Sequence, residues 1–267
     1  MIENKISKLI KTYPFIDSTT FGTSRLGRPL DALTIGHGGR AILINAAHHA
    51  NEWLTSLILL RFLEECAGSY HEEAALWDEI TLHCVPLVNP DGVNAVINGS
   101  RPESWKANIC GVDLNSNYPA GWELAKEHKY TRGYTCPGPR DYVGPAPLSE
   151  PESCAMVAYT HLNDFDLTLS LHTQGEEIYW RYMDYMPSGA EELAKTFAKV
   201  SGYLPEDVPS ESSHAGYRDW FIATFNRPGF TIECGLGENP LPLSQLDEIY
   251  EKTSPILREA LKPLTCV

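Results

Sequence analysis

The chain of 267 residues lacks any apolar run of about 18 residues, so no segment reads as a membrane-spanning helix. It also lacks an excess of basic residues. With Lys+Arg 21 against Asp+Glu 35 the formal charge is −14, which argues against duplex nucleic acid or an anionic membrane surface as partner, because the long-range field repels polyanions. Its first residues, "MIENKISKLIKTYPF", are mixed and polar and show no basic stretch followed by an apolar one, so the reading is of an unexported chain. The seven cysteines (Cys66, Cys84, Cys110, Cys136, Cys154, Cys234, Cys266) are scattered and odd in number, with no CxxC pair. That argues against a disulfide framework or a structural zinc ribbon and fits a reducing cytoplasm. Repeats, linkers and low-complexity tracts are missing too, so residues 1–267 are expected to form one domain with a large core.

What is present alternates between strand and helix patterns. "DALTIG", "AILINAA", "ITLHCVPLV", "DFDLTLSLHT" and "PGFTIECG" read as short buried strands of an α/β sheet. "LTSLILLRFLEECA" is long enough to be a helix, apolar round most of its circumference. Residues 187–202 carry helical spacing, with Ser188 as N-cap and Gly202 just past the end. A further helix is expected to start near Ser149, Pro151 and Glu152, an arrangement suited to reciprocal capping. Between these, residues 98–147 are rich in Gly, Pro, Asn and Tyr with little periodicity, the mark of a binding surface.

The chemistry begins at "NAAHHANEWLT". His49 and Glu52 stand three apart where a strand gives way to a helix, so both side chains can leave one face of the first helical turn. An imidazole and a carboxylate are common zinc ligands, and a catalytic site wants a third ligand plus an open position. His172 ends the apolar strand "DLTLSLH", at the sheet edge where open α/β folds place their sites. An HxxE pair also occurs by chance, and a lone His after a strand is ordinarily a satisfied polar residue. His48 reads as a packing neighbour, since a fourth ligand would close the open position. Glu233, after the apolar residues of "GFTIE", adds weight. A buried carboxylate is costly without a partner, and beside a metal-activated water it can take a proton and pass it to a leaving nitrogen. Pairing of that carboxylate with an Arg or a helix N-terminus is the alternative.

At this point the chain resembles the zinc carboxypeptidases of the carboxypeptidase A type. "HHANEWLT", "GVDLNSNYP", "GPAPLSEPE", "LSLHT" and "FTIECG" occur in that family's order and spacing over nearly the whole chain. The resemblance implies one zinc ion on His49, Glu52 and His172, with Glu233 as general base and acid. It also implies a three-layer α/β/α sandwich around a mixed, mostly parallel sheet of about eight strands. The departures carry information. The Arg pair-member that clamps a terminal carboxylate is absent, since Asn115 and Ser116 stand there, and Asn51 replaces another Arg. Lys106 takes the place of the electrophilic Arg, Arg218 reaches the pocket for the leaving residue with Tyr217 beside it, and Glu211 replaces the mobile Tyr.

"SWKANICGVDLN", "RDYVGPAPLSEPE", "LHTQGEEIYW" and "AGYRDWF" look like a bacterial branch, the γ-D-glutamyl-L-diamino acid endopeptidases. What this implies is hydrolysis of the amide between D-Glu and meso-diaminopimelate (or Lys) in peptidoglycan-derived peptides. A polyanionic substrate on a chain of charge −14 needs a local cationic site, for which Lys106, Arg218, Arg181 and Arg140 are candidates. Some of Gln174, Glu176 and Glu177 should face the cleft. Alternatives are a carboxypeptidase for ordinary C-terminal residues, a zinc deacylase of N-acyl amino acids, and a non-catalytic binding module. Subunit number is open.

Overall fold

Strands with β-branched and leucine-rich runs at the centre, and helices with one apolar stripe at the flanks, sort this chain into layers. The computed structural model describes residues 1–209 and 213–263, so Glu211 and Cys266 lie outside the described residues. In chain order the elements are α1 (Ile2–Thr12), β1 (Asp17–Thr23), β2 (Pro29–Gly36), β3 (Arg40–Ala46), α2 (Leu54–Gly68), α3 (Ala74–Glu79), β4 (Ile80–Val85) and α4 (Pro90–Ile97). There follow α5 (Trp122–Thr131), α6 (Pro151–Asn163), β5 (Leu167–His172), β6 (Glu177–Tyr179), α7 (Ala190–Ser201), β7 (Leu204–Glu206), α8 (Tyr217–Phe225), β8 (Gly229–Glu233) and α9 (Leu246–Leu261).

The eight strands form one sheet in the order β1-β2-β4-β3-β5-β8-β6-β7. Four of its seven pairings, including β4-β3-β5-β8 at the centre, are parallel, and the rest are antiparallel. The mixed, mostly parallel sheet between helical layers is therefore observed. Side chains alternate across it. Ile42, Ile44, Ala46, Leu167, Leu169, Leu171, Phe230 and Ile232 point to one face and join the large core with α1, α2, α7 and α9. Opposite them, Leu43 packs with Val85, Tyr118, Tyr217 and Phe221, and Asn45, Thr168, Ser170, His172 and Thr231 are buried polar positions on that face.

Local chemistry explains several boundaries and corrects others. Gly202 ends α7 at φ 79°, as expected, but Gly189 and not Ser188 stands at its N-cap. Ser149 does not cap α6: Glu150 is the cap residue, and the Ser149 hydroxyl instead donates to Glu150 Oε1 at 3.0 Å. Residues 98–147 are not wholly irregular, because α5 lies within them. Its apolar face is narrow, with Trp122 and Ala125 buried, so periodicity gave little signal. Two segments from the sequence motifs are stitched together here. Asn117 donates to Val143 O (2.8 Å) and Ala146 O (3.0 Å), and its Oδ1 accepts from Ser153 Oγ (2.6 Å). Gly144 at φ +90° permits this approach, since a Cβ there would stand 2.5 Å from Ser149 Oγ and 2.7 Å from Asn117 Nδ2. The six cysteines described are all free thiols.

Candidate active site

At the C-terminal ends of β3, β5 and β8, parallel register brings distant residues into one row. His172 is the register partner of Glu233, and Asn45, four residues before His49, is the partner of Ser170. After β3 the chain turns through Ala50–Glu52, a 3₁₀ turn, before α2 starts at Leu54. The expected first turn of an α-helix is thus a tighter one, which eclipses positions i and i+3 and brings His49 and Glu52 together more closely. The turn is pinned by Thr55, whose hydroxyl donates to Glu52 O at 2.7 Å and accepts from Ala47 N at 3.0 Å. Backbone Ala50 N donates to Lys106 O at 2.9 Å.

The result is a buried triad of donor atoms. His49 Nδ1 lies 2.8 Å from Glu52 Oε1, and His172 Nδ1 lies 2.9 Å from Glu52 Oε2 and 3.1 Å from His49 Nδ1. Ligands at 2.0–2.1 Å in a tetrahedron around zinc stand about 3.3 Å apart, so this set needs to open only by tenths of an ångström. Its chemistry fits as well as its size. Asp113 Oδ1 accepts from His49 Nε2 at 3.2 Å, which turns the Nδ1 lone pair of His49 towards the carboxylate of Glu52. Lone pairs facing one another repel until a cation, a proton or a metal ion, sits among them. Burial opposes charge on His49, but Glu52 and Asp113 outweigh it and raise its pKa. Burial likewise opposes ionisation of Glu52, yet the His49 and His172 rings hold its carboxyl well below the usual range. Such a set takes up a proton without a metal and gives it up to one.

Glu233 faces this triad across a cleft of about 520 Å³. Burial, and then the negative charge of Glu52, push its carboxyl up to about 8. Lys106 lines the same cleft with Nζ 3.9 Å from Asp113 Oδ2, its nearest carboxylate among the described residues. Burial lowers the pKa of its ammonium, but Asp113 and Glu52 prevail and raise it. Arg218, in the first turn of α8, is buried beside the cleft. Its guanidinium is held by Asp219 Oδ1, through Nε at 3.1 Å and through the second nitrogen, while Asp219 Oδ2 caps the helix by accepting from Gly216 N at 3.1 Å.

Other expected residues fall in different places. Asn51, Asn115, Ser116, Arg140 and Gln174 line the cleft, and Asn115 Oδ1 accepts from Tyr217 N at 3.0 Å. Tyr217 itself does not reach it. Its ring turns inward among Tyr118, Trp220 and Phe221, fully buried, with its hydroxyl 2.8 Å from Thr160 Oγ1. Arg181 stands outside, paired with Asp207 beside an adjoining hollow of about 390 Å³. Glu176 is held by Lys252 at 2.6 Å and Glu177 by the Tyr179 hydroxyl, so of these three residues Gln174 alone lines the cleft. His48 is fully buried with Nε2 3.0 Å from Tyr118 OH, a packing neighbour as expected.

Sequence reasoning passed over Asp113, although "GVDLN" contained it. Its signal was weak, an Asp that caps the turn Leu114–Ser116 by accepting from Asn115 N at 3.1 Å. Lys129, buried in the cleft wall 2.5 Å from Asp141 Oδ1, was also passed over.

Comparison with known proteins agrees with this geometry. A family profile described as "Zinc carboxypeptidase" matches residues 2–255. The chain is 41% identical over 278 aligned positions to γ-D-glutamyl-L-diamino acid endopeptidase 1 of Lysinibacillus sphaericus, covering 94% of this chain and 69% of that protein. Among solved structures, bovine thrombin-activatable fibrinolysis inhibitor shares the fold with a TM-score of 0.79 at 21% identity, covering 97% of this chain and 94% of the other. The murein-tripeptide amidase MpaA from Escherichia coli O157 shares it with a TM-score of 0.62 at 22% identity, covering 93% of each chain.

Proposed function

Because this chain belongs to the zinc carboxypeptidase family, we propose that it is a zinc hydrolase cutting the amide between the γ-carboxyl of D-Glu and meso-diaminopimelate, or Lys, in peptidoglycan-derived peptides. His49, Glu52 and His172 hold the metal. Zinc supplies a Lewis acid that polarises the scissile carbonyl and acidifies water.

The protein's own residues do the rest. Glu233 accepts the proton of the attacking water and then donates it to the leaving nitrogen. Its buried setting suits both halves of that role, since a carboxyl pushed up to about 8 holds a proton readily and a nearby cation brings it back to the ionised form. The Lys106 ammonium, with no carboxylate closer than 3.9 Å among the described residues, faces the negative charge that develops on the carbonyl oxygen. Arg218 offers a guanidinium to a carboxylate of the leaving residue, and Asp219 fixes its orientation. Asn51, Asn115 and Ser116 put polar, uncharged groups into the cleft wall where the resemblance would place Arg residues, which admits a leaving residue whose own carboxyl continues into a chain.

The observation that carries this reading is the register of β5 and β8, which pairs His172 with Glu233, a residue of the cleft wall. The 41% identity to a γ-D-glutamyl-L-diamino acid endopeptidase supports the choice of substrate. Among the described residues no helix is long and apolar enough to cross a membrane. Six unpaired thiols favour the cytoplasm, where the substrates would be free muropeptides.

Incubation with L-Ala-γ-D-Glu-meso-diaminopimelate, followed by mass spectrometry, tests the proposal. The expected products are L-Ala-D-Glu and free diaminopimelate. Release of C-terminal residues from ordinary blocked dipeptides, with the tripeptide left intact, would overturn it in favour of a carboxypeptidase. Cleavage of acyl-aspartate or acyl-glutamate alone would point to a deacylase.

A further inference from the structure

Behind the donor triad, the same strands carry a second layer of polar side chains with no role in the chemistry above. Asn45 on β3 and Ser170 on β5 are register partners, and Thr168 and His172 lie two residues to either side of Ser170 on its face. Asn45 is 0% exposed, and Thr168, Ser170 and His172 are each 1% exposed. Even so, both carboxamide atoms of Asn45, the hydroxyls of Thr168 and Ser170, Nε2 of His172 and Nδ1 of His48 have no hydrogen-bond partner among the described residues. The His48 ring belongs to the same layer, stacked 5.7 Å from the His172 ring. A buried polar atom left unpaired costs about 1–3 kcal/mol, so the neighbouring Asn45, Ser170 and His172 call for a small polar partner.

The two metal-site histidines differ at this point. His49 donates from Nε2 to Asp113, which fixes its tautomer. His172 directs Nδ1 at Glu52 and the triad; with a metal ion on that nitrogen the hydrogen would sit on Nε2, which no side chain among the described residues meets. Asn45 is the diagonal neighbour of His172, and strand spacing and rise put their Cα atoms about 8 Å apart. No direct bond joins these side chains among the described residues, and a separation of that size suits one bridging water.

We propose that buried water fills this layer and that Asn45 is a positioning residue for the metal centre. Water accepts from His172 Nε2 and donates to Asn45 Oδ1 and Ser170 Oγ, so that Nδ1 of His172 stays bare and aimed at the metal. A buried water typically makes about three hydrogen bonds, the number that His172 Nε2, Asn45 Oδ1 and Ser170 Oγ would supply. Outer partners of metal-bound histidines are worth about 10–100-fold in metal affinity.

Zinc affinity, measured by competition with a chromogenic chelator, provides a test that does not depend on catalysis. Asn45→Leu fills the layer with apolar volume and is expected to weaken zinc binding by about 10–100-fold. Asn45→Asp keeps an acceptor oxygen and should stay within about threefold of the wild type, with Ser170→Ala in between. Ring ¹⁵N spectra of the zinc-loaded wild type should show His172 protonated at Nε2, with slow hydrogen exchange that Asn45→Leu speeds. An Asn45→Leu protein with native circular dichroism and wild-type zinc affinity would overturn the proposal. A change in thermal midpoint alone would do the same, since that is all a packing role produces. If Asn45→Leu does not fold, Asn45→Ser and Ser170→Ala carry the test by the same criteria. Absence of zinc binding in the wild type would instead overturn the metal site itself.

Discussion

The two faces of β3, β5 and β8 are built from alternate residues of the same short runs, yet they do opposite work. One face carries Ile44, Leu169, Leu171 and Ile232 against α2, α7 and α9, an apolar layer that supplies stability. Its opposite carries Asn45, Ser170, His172, Thr231 and Glu233, which no packing rule would choose. Alternation of apolar and polar residues usually means that the polar face meets water. Here all six residues of β5 are buried, so the pattern marks a polar interior. A polar layer that is buried rather than wet is where binding energy and perturbed proton affinities can be concentrated.

Neighbouring substitutions across this divide should separate sharply. His172→Ala is expected to lose stoichiometric zinc and to lower turnover by at least about 10³-fold, measured by elemental analysis and product release. Glu233→Gln should keep one zinc per chain while turnover falls by about 10²–10⁴-fold, and a fall in metal content instead would place Glu233 among the ligands. Leu169→Ala, on the other face, should reduce stability by about 2–5 kcal/mol in urea unfolding yet leave the specific activity of the folded protein unchanged. If that variant lost activity while remaining folded, the two faces would not be independent.

The smallest effect concerns pH. In the metal-free protein, burial and Glu52 push the Glu233 carboxyl up to about 8, whereas in the unfolded chain it titrates near about 4.3. The folded state then binds the extra proton, so this group's contribution to stability is full below about pH 4 and is lost as the pH rises towards 8. Thermal melts of metal-free wild type and Glu233→Gln between pH 5 and 9 should converge at the acid end and diverge at the alkaline end, with the wild type losing more. Parallel curves would mean that the carboxyl is not perturbed.

Much of the architecture was legible from runs such as "AILINAA" and "DLTLSLH", because a buried parallel strand announces itself by apolar residues over four to eight positions. His49 and Glu52 were legible for a local reason: three residues apart in a tight turn, they meet whatever the rest of the fold does. His172 and Glu233 were readable as polar residues ending apolar strands. Arg218 lines the cleft, and its clamp by Asp219 had no signal in the sequence pattern. Tyr217, one position away, was misplaced, because a helix turn sends adjacent side chains in directions about 100° apart and the docking of α8 alone decides which faces inward.

The sequence by itself determined which residue types are available for chemistry, where the strands end and which carboxylate and imidazole meet in a turn. Only the tertiary structure decided the partners separated along the chain: Asp113 on His49 across 64 residues, His172 on Glu52 across 120, and the buried layer that joins Asn45 to Ser170. The reason is physical. Hydrogen bonds and ligand distances are set to tenths of an ångström by strand register and helix docking. Those depend on the summed packing of the whole core, and no local stretch of sequence encodes that sum.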